Sequence, residues 1–281
     1  MPYGTLFVVA TPIGNLEDMT LRSLSILKEV DMIAAEDTRH SSKLLQHYCI
    51  DKPVISVHEH NEQQRAAQLV EKLKQGQSIA LISDAGTPLI SDPGYSVVKA
   101  IAEAGLQVVP VPGACAAIAA LSVSGLATDR FQFEGFLPHR SGPRRERIAR
   151  LVQVPRTLVF YEAPHRIVML FEELNDLFGG GRQAVVAREL TKAYETVKHG
   201  SIAEICDWLA ADSNQRRGEF VVIVERFNAK EDKDTLDSDS LRLMDLLLQD
   251  LPPNRAAQIA AKYYGKRKKL FYDYALKLKK S

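Results

Sequence analysis

Cysteine is scarce in this sequence, which has only Cys49, Cys115 and Cys206 among its 281 residues. The three lie far apart without the paired spacing of metal ligands, so we expect neither a metal site nor a disulfide framework. Long apolar runs are also missing, since no uninterrupted stretch approaches the roughly 20 residues that cross a bilayer. The N-terminus has no basic segment ahead of a long apolar core, so no signal peptide is predicted. Together these absences favour a soluble protein of the reducing cytoplasm.

The phosphate-binding motifs of nucleotide enzymes are absent as well. Residues 6–27 read LFVVATPIGNLEDMTLRSLSIL, in which an apolar run stops at TPIGN (11–15) and a helical pattern begins at once. A strand that ends in a Pro/Gly loop and feeds a helix often holds a ligand. This loop is not GxGxxG and has no GKS or GKT, so neither a dinucleotide nor a nucleoside triphosphate is expected.

Hydrophobic residues make up 46% of the chain, which predicts a sizeable core. Strand-like runs alternate with helix-like ones, and this alternation predicts an α/β fold with a largely parallel sheet. We expect α/β domains at 1–126 and 127–228, a patternless linker at 229–239 and a basic helical tail at 240–281. The stretch 134–147, EGFLPHRSGPRRER, is polar and basic and is interpreted as a mobile loop.

Three Gly/Pro loops follow predicted strands in the first half, at 11–15, 84–94 and 111–116. In an open α/β sheet the ligand crevice lies at the carboxyl ends of the strands. One such loop would be an ordinary turn, but three in the same topological position favour a binding site. The carboxylates of Glu36, Asp37 and Asp84 follow the same strands and could bind ribose hydroxyls or act as a base. For Asp37 the alternative is a helix cap.

Polar motifs also follow two strands of the second half. YEAPHR (161–166) comes directly after one apolar run, and RELTK (188–192) ends another. These are positions where a cleft would lie. For His165 and Arg166, a solvated first helical turn is the simpler explanation.

Taken together, these stretches resemble the tetrapyrrole methylase superfamily, the class III S-adenosylmethionine-dependent methyltransferases. ATPIGNLEDMT (10–20) is similar to its opening motif, although the glycine-rich part is reduced to Gly14. AGTP (85–88) resembles its GGDP loop, with Thr87 in place of Asp. The motifs AEDTR, SDAGTPLISDPG, FEGFLP, FYEAPHR and ARELTK resemble one branch, the bacterial small-subunit ribosomal RNA 2′-O-methyltransferases.

The resemblance implies two α/β domains of tetrapyrrole methylase type with the cofactor in the interdomain cleft, a small C-terminal helical module, and a homodimer. It implies S-adenosylmethionine-dependent methylation of the ribose of a cytidine in 16S ribosomal RNA, in the decoding centre. The donor carries no phosphate, which agrees with the missing phosphate motifs. The expected donor-binding residues are Thr11, Pro12, Ile13, Gly14, Asn15, Asp84, Gly86, Thr87, Pro88, Leu89, Pro112, Gly113, Ala114, Cys115, Ala116 and Tyr161.

A base that takes the proton of the ribose hydroxyl would help this reaction, because a hydroxyl is a poor nucleophile. The candidates come from AEDTR and RELTK and stay unranked; they are Glu36, Asp37, Glu189 and Lys192. A lysine serves as a base only if its pKa is depressed.

The C-terminal tail concentrates positive charge that the near-neutral total of +1 conceals. Pro252-Pro253 is expected to precede a helix that Asn254 caps and Gly265 ends, followed by a basic helix. This arrangement resembles a helix-turn-helix, and such a patch is typical of nucleic-acid binding, although a solvated helix face is the commoner explanation. The expected contacts to the small ribosomal subunit are Arg39, Arg140, Arg144, Arg145, His165, Arg166, Lys266, Arg267, Lys268 and Lys269.

Two other functions stay open at this point. One is a small-molecule methyltransferase that acts on a tetrapyrrole and uses the tail for dimerisation. The other is a non-catalytic RNA-binding assembly factor. The basic tail favours RNA as the substrate.

Overall fold

The structure is a computed structural model, and it describes residues 3–228, 236 and 238–278. The chain forms two compact units. The larger holds the described residues up to Val152 together with Arg156–Glu225, and the smaller holds Gln153–Pro155 and the described residues from Arg226 onward.

A five-stranded parallel sheet forms the first half of the larger unit. Its strands are β1 (Thr5–Val9), β2 (Met32–Ala35), β3 (Val54–Ser56), β4 (Ile79–Ile82) and β5 (Gln107–Val111), in the order β3-β2-β4-β1-β5. The helices between and after them are α1 (Leu21–Glu29), α2 (Thr38–His47), α3 (Glu62–Lys74), α4 (Tyr95–Glu103) and α5 (Ala116–Val123). β2 and β4 are buried along their whole length, as expected of parallel strands with both faces covered. Since all five strands run the same way, their carboxyl ends meet at one edge.

The second sheet is mixed, so the expectation of a largely parallel sheet is right for the first half and wrong here. Its strands are β6 (Phe131–Phe136), β7 (Thr157–Glu162), β8 (Gln183–Arg188), β9 (Thr196–Ser201) and β10 (Phe220–Val224), in the order β6-β7-β10-β8-β9. Only β6 and β7 pair in parallel. The link between β8 and β9 is too short for a helical crossover, so these strands must run antiparallel. The helices are α6 (Ser141–Leu151), α7 (Ile167–Phe178) and α8 (Ile202–Ala211).

Helix α5 connects the two halves of the larger unit. Its small residues Ala117 and Ala120 are buried against Val159, Val185 and Val221 of the second sheet. The alanine-rich sequence is thus explained by close packing, since small side chains let a helix approach a sheet.

The predicted mobile loop at 134–147 is wrong. Its first residues end β6 and its last residues lie in α6. The sequence concealed this helix because its face is largely arginine, and only Ile148 and Leu151 of its apolar residues are buried. Arg144 is also buried, at 1% exposure, and its Nε lies 2.6 Å from a carboxylate oxygen of Glu173. Burial disfavours the charge on Glu173, but hydrogen bonds from Arg144 hold the pKa of that carboxyl below its ordinary value.

The described part of the smaller unit contains three helices, α9 (Ser238–Asp250), α10 (Pro253–Tyr264) and α11 (Lys268–Leu278). They bury a core around Met244, Ala260 and Phe271. Gly265 follows α10 in the left-handed conformation with φ of 65°, which confirms the predicted helix end. The predicted cap is wrong, because Pro252 precedes the helix and no side chain caps it. Most of the expected linker, residues 229–235 and 237, lies outside the described residues.

In the described parts of the chain, none of the helices combines the length and the apolar character that crossing a bilayer requires.

The neighbouring residues Arg144 and Arg145 allow a matched test of the buried ion pair. Arg144→Met should lower the free energy of unfolding by about 3–5 kcal/mol, because it leaves the Glu173 carboxylate buried without its partner. Arg145→Met should cost less than about 1 kcal/mol, since its pair with Asp176 is largely exposed. Urea unfolding followed by the fluorescence of Trp208, the only tryptophan, measures both. Equal losses in the two variants would contradict this account.

Candidate active site

A paired backbone contact joins the loops that follow β1 and β4. The N–H of Thr11 donates to the carbonyl of Gly86 at 2.8 Å, and the N–H of Gly86 donates back to the carbonyl of Thr11 at 3.0 Å. The buried Thr11 hydroxyl also donates to the carbonyl of Ser83 at 3.1 Å. Gly86 has φ of +80°, which favours glycine at this position. The two loops therefore meet at the carboxyl edge of the first sheet.

Side-chain contacts bring in the third loop and the second sheet. The Thr87 hydroxyl donates to the carbonyl of Ala114 at 3.0 Å, and the N–H of Ala117 donates to the Tyr161 hydroxyl at 3.1 Å. Burial is the main cause that raises the pKa of Tyr161, which keeps its hydroxyl protonated. All three Gly/Pro loops thus converge with the end of β7.

A cavity of about 330 Å³ lies where these loops meet. Apolar side chains such as Ile13, Ala116 and Leu190 form much of its wall. Its charged lining within the described residues consists of the carboxylates Asp92, Glu162 and Glu219. Glu162 is paired with Arg166 and Glu219 with Lys192, whereas Asp92 has no ion pair in the described part of the chain, so the wall favours a ligand that carries positive charge chiefly at Asp92.

A second cavity of about 320 Å³ shares Ile13, Ala85 and Glu219 with the first. Both volumes fall in the range of small-molecule sites, which is roughly 300–1,000 Å³. The expected donor-binding residues that line the first cavity are Ile13, Gly86, Thr87, Cys115, Ala116 and Tyr161, and those that line the second are Thr11, Pro12, Ile13, Gly14 and Asp84.

The other expected donor-binding residues line neither cavity; they are Asn15, Pro88, Leu89, Pro112, Gly113 and Ala114. Asn15 instead accepts a hydrogen bond from the N–H of Glu17, and Leu89 packs on the core of the first sheet. An added Cβ on Gly113 would lie 2.9 Å from Cβ of Ala10, so this glycine serves close packing of the chain on itself.

Backbone strain is concentrated around the cavities. Among the residues that the structure describes, five non-glycine residues have positive φ, and four of them lie in the loops of this region: Leu89, Ser91, Glu189 and Thr191. Each such residue costs of the order of 1–3 kcal/mol and persists only where surrounding contacts hold it. Clusters of strained residues are typical of ligand and active sites.

The two candidate bases from RELTK are held in an ion-pair network. Nζ of Lys192 lies 2.9 Å from carboxylate oxygens of both Glu189 and Glu219. Burial opposes the charge of Lys192, but its hydrogen bonds to Glu219 and Glu189 raise its pKa above the ordinary value. Burial likewise opposes the charge of Glu189, yet the hydrogen bond from Lys192 helps to lower its pKa. Both shifts run against proton abstraction, so the ion-pair network disfavours these two as bases.

Asp37 acts as a helix cap, the alternative that the sequence left open. Its side chain accepts from the N–H of Arg39 at 2.8 Å at the start of α2. The hydrogen bond from the Arg39 side chain lowers the pKa of Asp37. The geometry therefore disfavours Asp37 as the base.

Glu36 belongs to a carboxylate cluster that includes a residue the sequence analysis missed. Burial, followed by the charge of Asp84, raises the pKa of Glu36. Burial, followed by the charge of Glu36, raises the pKa of Asp92 to about 6. Asp92 lies in the SDPG part of the loop 84–94. Its position before a proline, in a loop that follows a predicted strand, was the sequence signal that could have identified it. Asp92 lines the first cavity, where a carboxyl with a raised pKa is a candidate acid or base, whereas Glu36 lines neither cavity.

The expected RNA-binding residues divide into exposed and buried groups. Arg140, His165, Lys268 and Lys269 are exposed, as is the side chain of Arg39, whereas Arg145 is half-exposed. For Arg144 and Arg166 the expectation of RNA contact is corrected, because each is buried and its guanidinium binds the protein itself. Arg166 donates to the carbonyl of Leu137 at 2.7 Å and lies 3.1 Å from Glu162. Lys266 and Arg267 flank the turn before α11, where Lys266 is partly buried.

Comparison with known proteins adds independent findings. Residues 5–206 match the tetrapyrrole (corrin/porphyrin) methylases, and residues 234–279 match the RsmI C-terminal HTH domain. The ribosomal RNA small subunit methyltransferase I of Pseudomonas aeruginosa is 52% identical over 276 residues, which cover 98% of each chain. The protein of that name from Escherichia coli O157:H7 is 50% identical over 273 residues, which cover 97% of this chain and 95% of the other.

Two solved structures share the fold of the larger unit. Diphthine synthase superposes with a TM-score of 0.60 at 16% identity, over 79% of this chain and 90% of that chain. Uroporphyrin-III C-methyltransferase from Thermus thermophilus, complexed with S-adenosyl homocysteine, gives a TM-score of 0.56 at 20% identity, over 79% of this chain and 97% of that chain.

Because the pKa of Asp92 is raised, replacing Asp92 with its neutral analogue asparagine should increase the free energy of unfolding in a pH-dependent way. Between the ordinary pKa of 3.8 and the folded value of about 6 the folded state holds more protons, so this carboxyl destabilises the fold as pH rises through that window. Asp92→Asn should therefore unfold like the parent below pH 4 and be more stable by roughly 1–2 kcal/mol at pH 8, less than the full shift implies because solvent screens the partly exposed carboxyl. Urea unfolding at several pH values measures this. Asp51→Asn, at an exposed position, is the control; a pH-independent gain in Asp92→Asn would contradict the assignment.

Proposed function

The chain belongs to the tetrapyrrole (corrin/porphyrin) methylase family, and from this membership we propose that it transfers a methyl group from S-adenosylmethionine to the 16S ribosomal RNA of the small ribosomal subunit. The family and the fold class predicted from the sequence are confirmed. The relatives named as ribosomal RNA small subunit methyltransferase I support the RNA substrate, since they match nearly the whole chain. The observation in the structure that carries the proposal is the first cavity, whose charged lining within the described residues consists of three carboxylates.

The donor fits the two adjoining cavities. S-adenosylmethionine supplies a sulfonium-bound methyl group, which is electrophilic and positively charged. Asp92, Glu162 and Asp84 place negative charge around that region, Lys43 and Lys192 line the second cavity, and no helix N-terminal phosphate motif is required. Glu162 has one carboxylate oxygen that is buried without a hydrogen-bond partner, so it offers an acceptor to a bound group. Backbone groups near Gly86 and Cys115 would hold the adenosine and methionine parts.

The acceptor that we propose is the 2′-hydroxyl of a cytidine ribose in the decoding centre. This finer assignment rests on the resemblance of FYEAPHR and ARELTK to the 2′-O-methyltransferase branch. A ribose hydroxyl needs a group that takes its proton, and Glu36 is the one of the four candidates that neither an ion pair nor a helix cap occupies, although it lines neither cavity. Its raised pKa brings it nearer to neutral pH, where a general base works best. Correct positioning of the two reactants supplies much of the remaining rate acceleration.

Substrate docking is assigned to the smaller unit. Lys268 and Lys269 are exposed at the start of α11, beside Lys266 and Arg267. Phosphate contacts of this kind position a protein without reading the sequence. The homodimer implied by the resemblance is also part of the proposal, and the sedimentation mass would decide it.

Mapping the product tests the function directly. Small subunits from cells that lack the protein should accept labelled methyl groups, and mass mapping should place the label on the ribose of one cytidine. Label on a base would contradict the 2′-O assignment, and transfer to a porphyrinogen but not to subunits would favour the tetrapyrrole enzyme.

Two glycines with positive φ provide a matched test of the donor site. In Gly86→Val the side chain would enter the first cavity, since an added Cβ already lies 3.3 Å from Cγ2 of Ile13. Gly105→Val carries similar backbone strain at φ of 70°, but nothing lies within 4 Å of its Cβ and it is remote from the cavities. Donor affinity by calorimetry should fall at least about tenfold in the first variant only, which is 1.4 kcal/mol. Unchanged affinity in Gly86→Val would refute this placement.

The adjacent acids Glu36 and Asp37 provide a matched test of the base. Glu36→Gln should slow single-turnover methylation by roughly 10²–10⁴-fold, because the amide cannot take a proton. Asp37→Asn should stay within a few fold of the parent, since asparagine also caps helices. Donor affinity measured alongside separates chemistry from binding. A Glu36→Gln rate near that of the parent would remove Glu36 from this role.

Salt dependence tests the docking surface. Neutralising Lys268 and Lys269 together with glutamine should weaken subunit binding and lower the slope of log K against log salt by up to about two units, roughly one per lost phosphate contact. The control replaces Lys74 and Lys99, two lysines of the larger unit that pair with Glu71 and Glu103. Equal effects in both double variants would mean that the contribution is general charge rather than a docking contact.

A further inference from the structure

A third cavity lies beside the active-site cavities and has no role in the chemistry described above. Its volume is about 350 Å³, and it is lined by Arg188, Glu189, Tyr194, Asn214, Arg217 and Gly218. These residues come from the end of β8, the segment that follows it and the segment that precedes β10. Two arginines and an exposed tyrosine distinguish this lining from the acidic one of the first cavity.

Arg188 brings a buried positive charge to this cavity. The residue is 8% exposed, and its guanidinium donates at 3.2 Å to the carbonyls of Asn214, Arg217 and Tyr194 and to the hydroxyl of Thr196. All four acceptors are uncharged, and Nε is buried without an acceptor. Within the described residues, no carboxylate lies at ion-pair distance from this guanidinium. A buried charge without a counterion is costly, so the cavity favours an anion.

The carboxylate of Glu189 also lines the cavity, but its charge is already compensated. It accepts from Nζ of Lys192 at 2.9 Å and from the N–H of Glu219 at 3.0 Å. Arg217 adds an exposed cation, and its guanidinium makes no hydrogen bond among the residues described. The net charge that the cavity presents is therefore positive.

Tyr194 provides a surface of a different kind. Its side chain is 75% exposed at the cavity, so the face of its ring is open to a ligand. An exposed aromatic ring beside arginines is the arrangement on which proteins stack an unpaired base while they hold the adjoining phosphate.

Residues that line this cavity are adjacent in sequence to residues that line the two active-site cavities. Gly218 lines it, and the next residue, Glu219, lines both active-site cavities. Glu189 forms the partition, since an added Cβ on Gly218 would lie 2.5 Å from its carboxylate carbon. A strand of RNA that places one ribose in the cleft would thus bring a neighbouring nucleotide to this cavity.

We propose that this cavity binds the nucleotide next to the methylated one, with its phosphate on the exposed Arg217, attracted also by the uncompensated charge of Arg188 behind it, and with its base stacked on Tyr194. The inference rests on the proposed function, since it requires an RNA substrate. It assigns to the RELTK region a role in holding RNA rather than in abstracting a proton.

Two exposed residues allow the phosphate and the stacking contributions to be measured separately. Arg217→Gln should weaken binding of small subunits about tenfold and lower the salt slope by about 0.7, the value for one contact with a single strand. Tyr194→Ala should weaken binding by a similar factor with an unchanged salt slope, because stacking releases no counterion. Tyr194→Phe should restore the affinity, since it keeps the ring.

The control is Arg150→Gln, at an exposed position of α6 that pairs with Glu146. Unfolding midpoints and donor affinity should match the parent in all variants, which excludes a folding defect or a damaged donor site. If the parent protein does not methylate small subunits, the proposed function fails. If it does, and Arg217→Gln and Tyr194→Ala bind subunits like the parent or no more weakly than Arg150→Gln, the nucleotide cavity is refuted.

Discussion

The paired backbone hydrogen bonds between Thr11 and Gly86 are the contact on which the rest of the site depends. They hold together two loops that leave neighbouring strands, β1 and β4, and so define the floor where the first two cavities meet. The pairing requires a left-handed residue at position 86, which explains a glycine there. Close packing explains a second glycine, Gly14, where the first loop contacts the second half of the larger unit. An added Cβ on Gly14 would lie 2.5 Å from Cγ of Lys192.

In the larger unit, acidic groups gather at one edge of the first sheet, and several arginines of the second half are buried. The carboxylates of Glu36, Asp84 and Asp92 gather at one edge of the first sheet, where burial and mutual repulsion raise the pKa values of Glu36 and Asp92. Several arginines of the second half are buried and bind carbonyls or carboxylates of the protein, as Arg144 and Arg166 do. Arginine content alone therefore overstates the surface available to RNA. An arginine that already has an anionic partner in the protein differs in this respect from one that is available to a phosphate.

The strained residues at the cavities lie in segments that hydrogen bonds and ion pairs hold in place. Glu189 and Thr191 adopt left-handed conformations in the segment that carries the Lys192 ion-pair network. Leu89 and Ser91 do the same in the loop that the Thr87 hydroxyl ties to Ala114. Hydrogen bonds and ion pairs offset the conformational cost and keep the loops in one geometry. Such preorganisation suits a reaction that depends mainly on the placement of two reactants.

The sequence by itself determined the parallel first sheet, the three Gly/Pro loops at its carboxyl edge, the helix end at Gly265 and, through long motifs, the family. These features depend on local residue patterns, which a linear chain displays directly. The mixed second sheet, the burial of Arg144 and the part played by Asp92 were decided by the tertiary structure. Strand direction in the second half depends on which strands become neighbours, since β10 inserts between β7 and β8. The fate of Arg144 depends on Glu173, 29 residues away, and the pKa of Asp92 depends on burial beside Glu36. Local pattern carries no information about such distant partners, so only the folded chain reveals which polar groups are paired and which remain for chemistry.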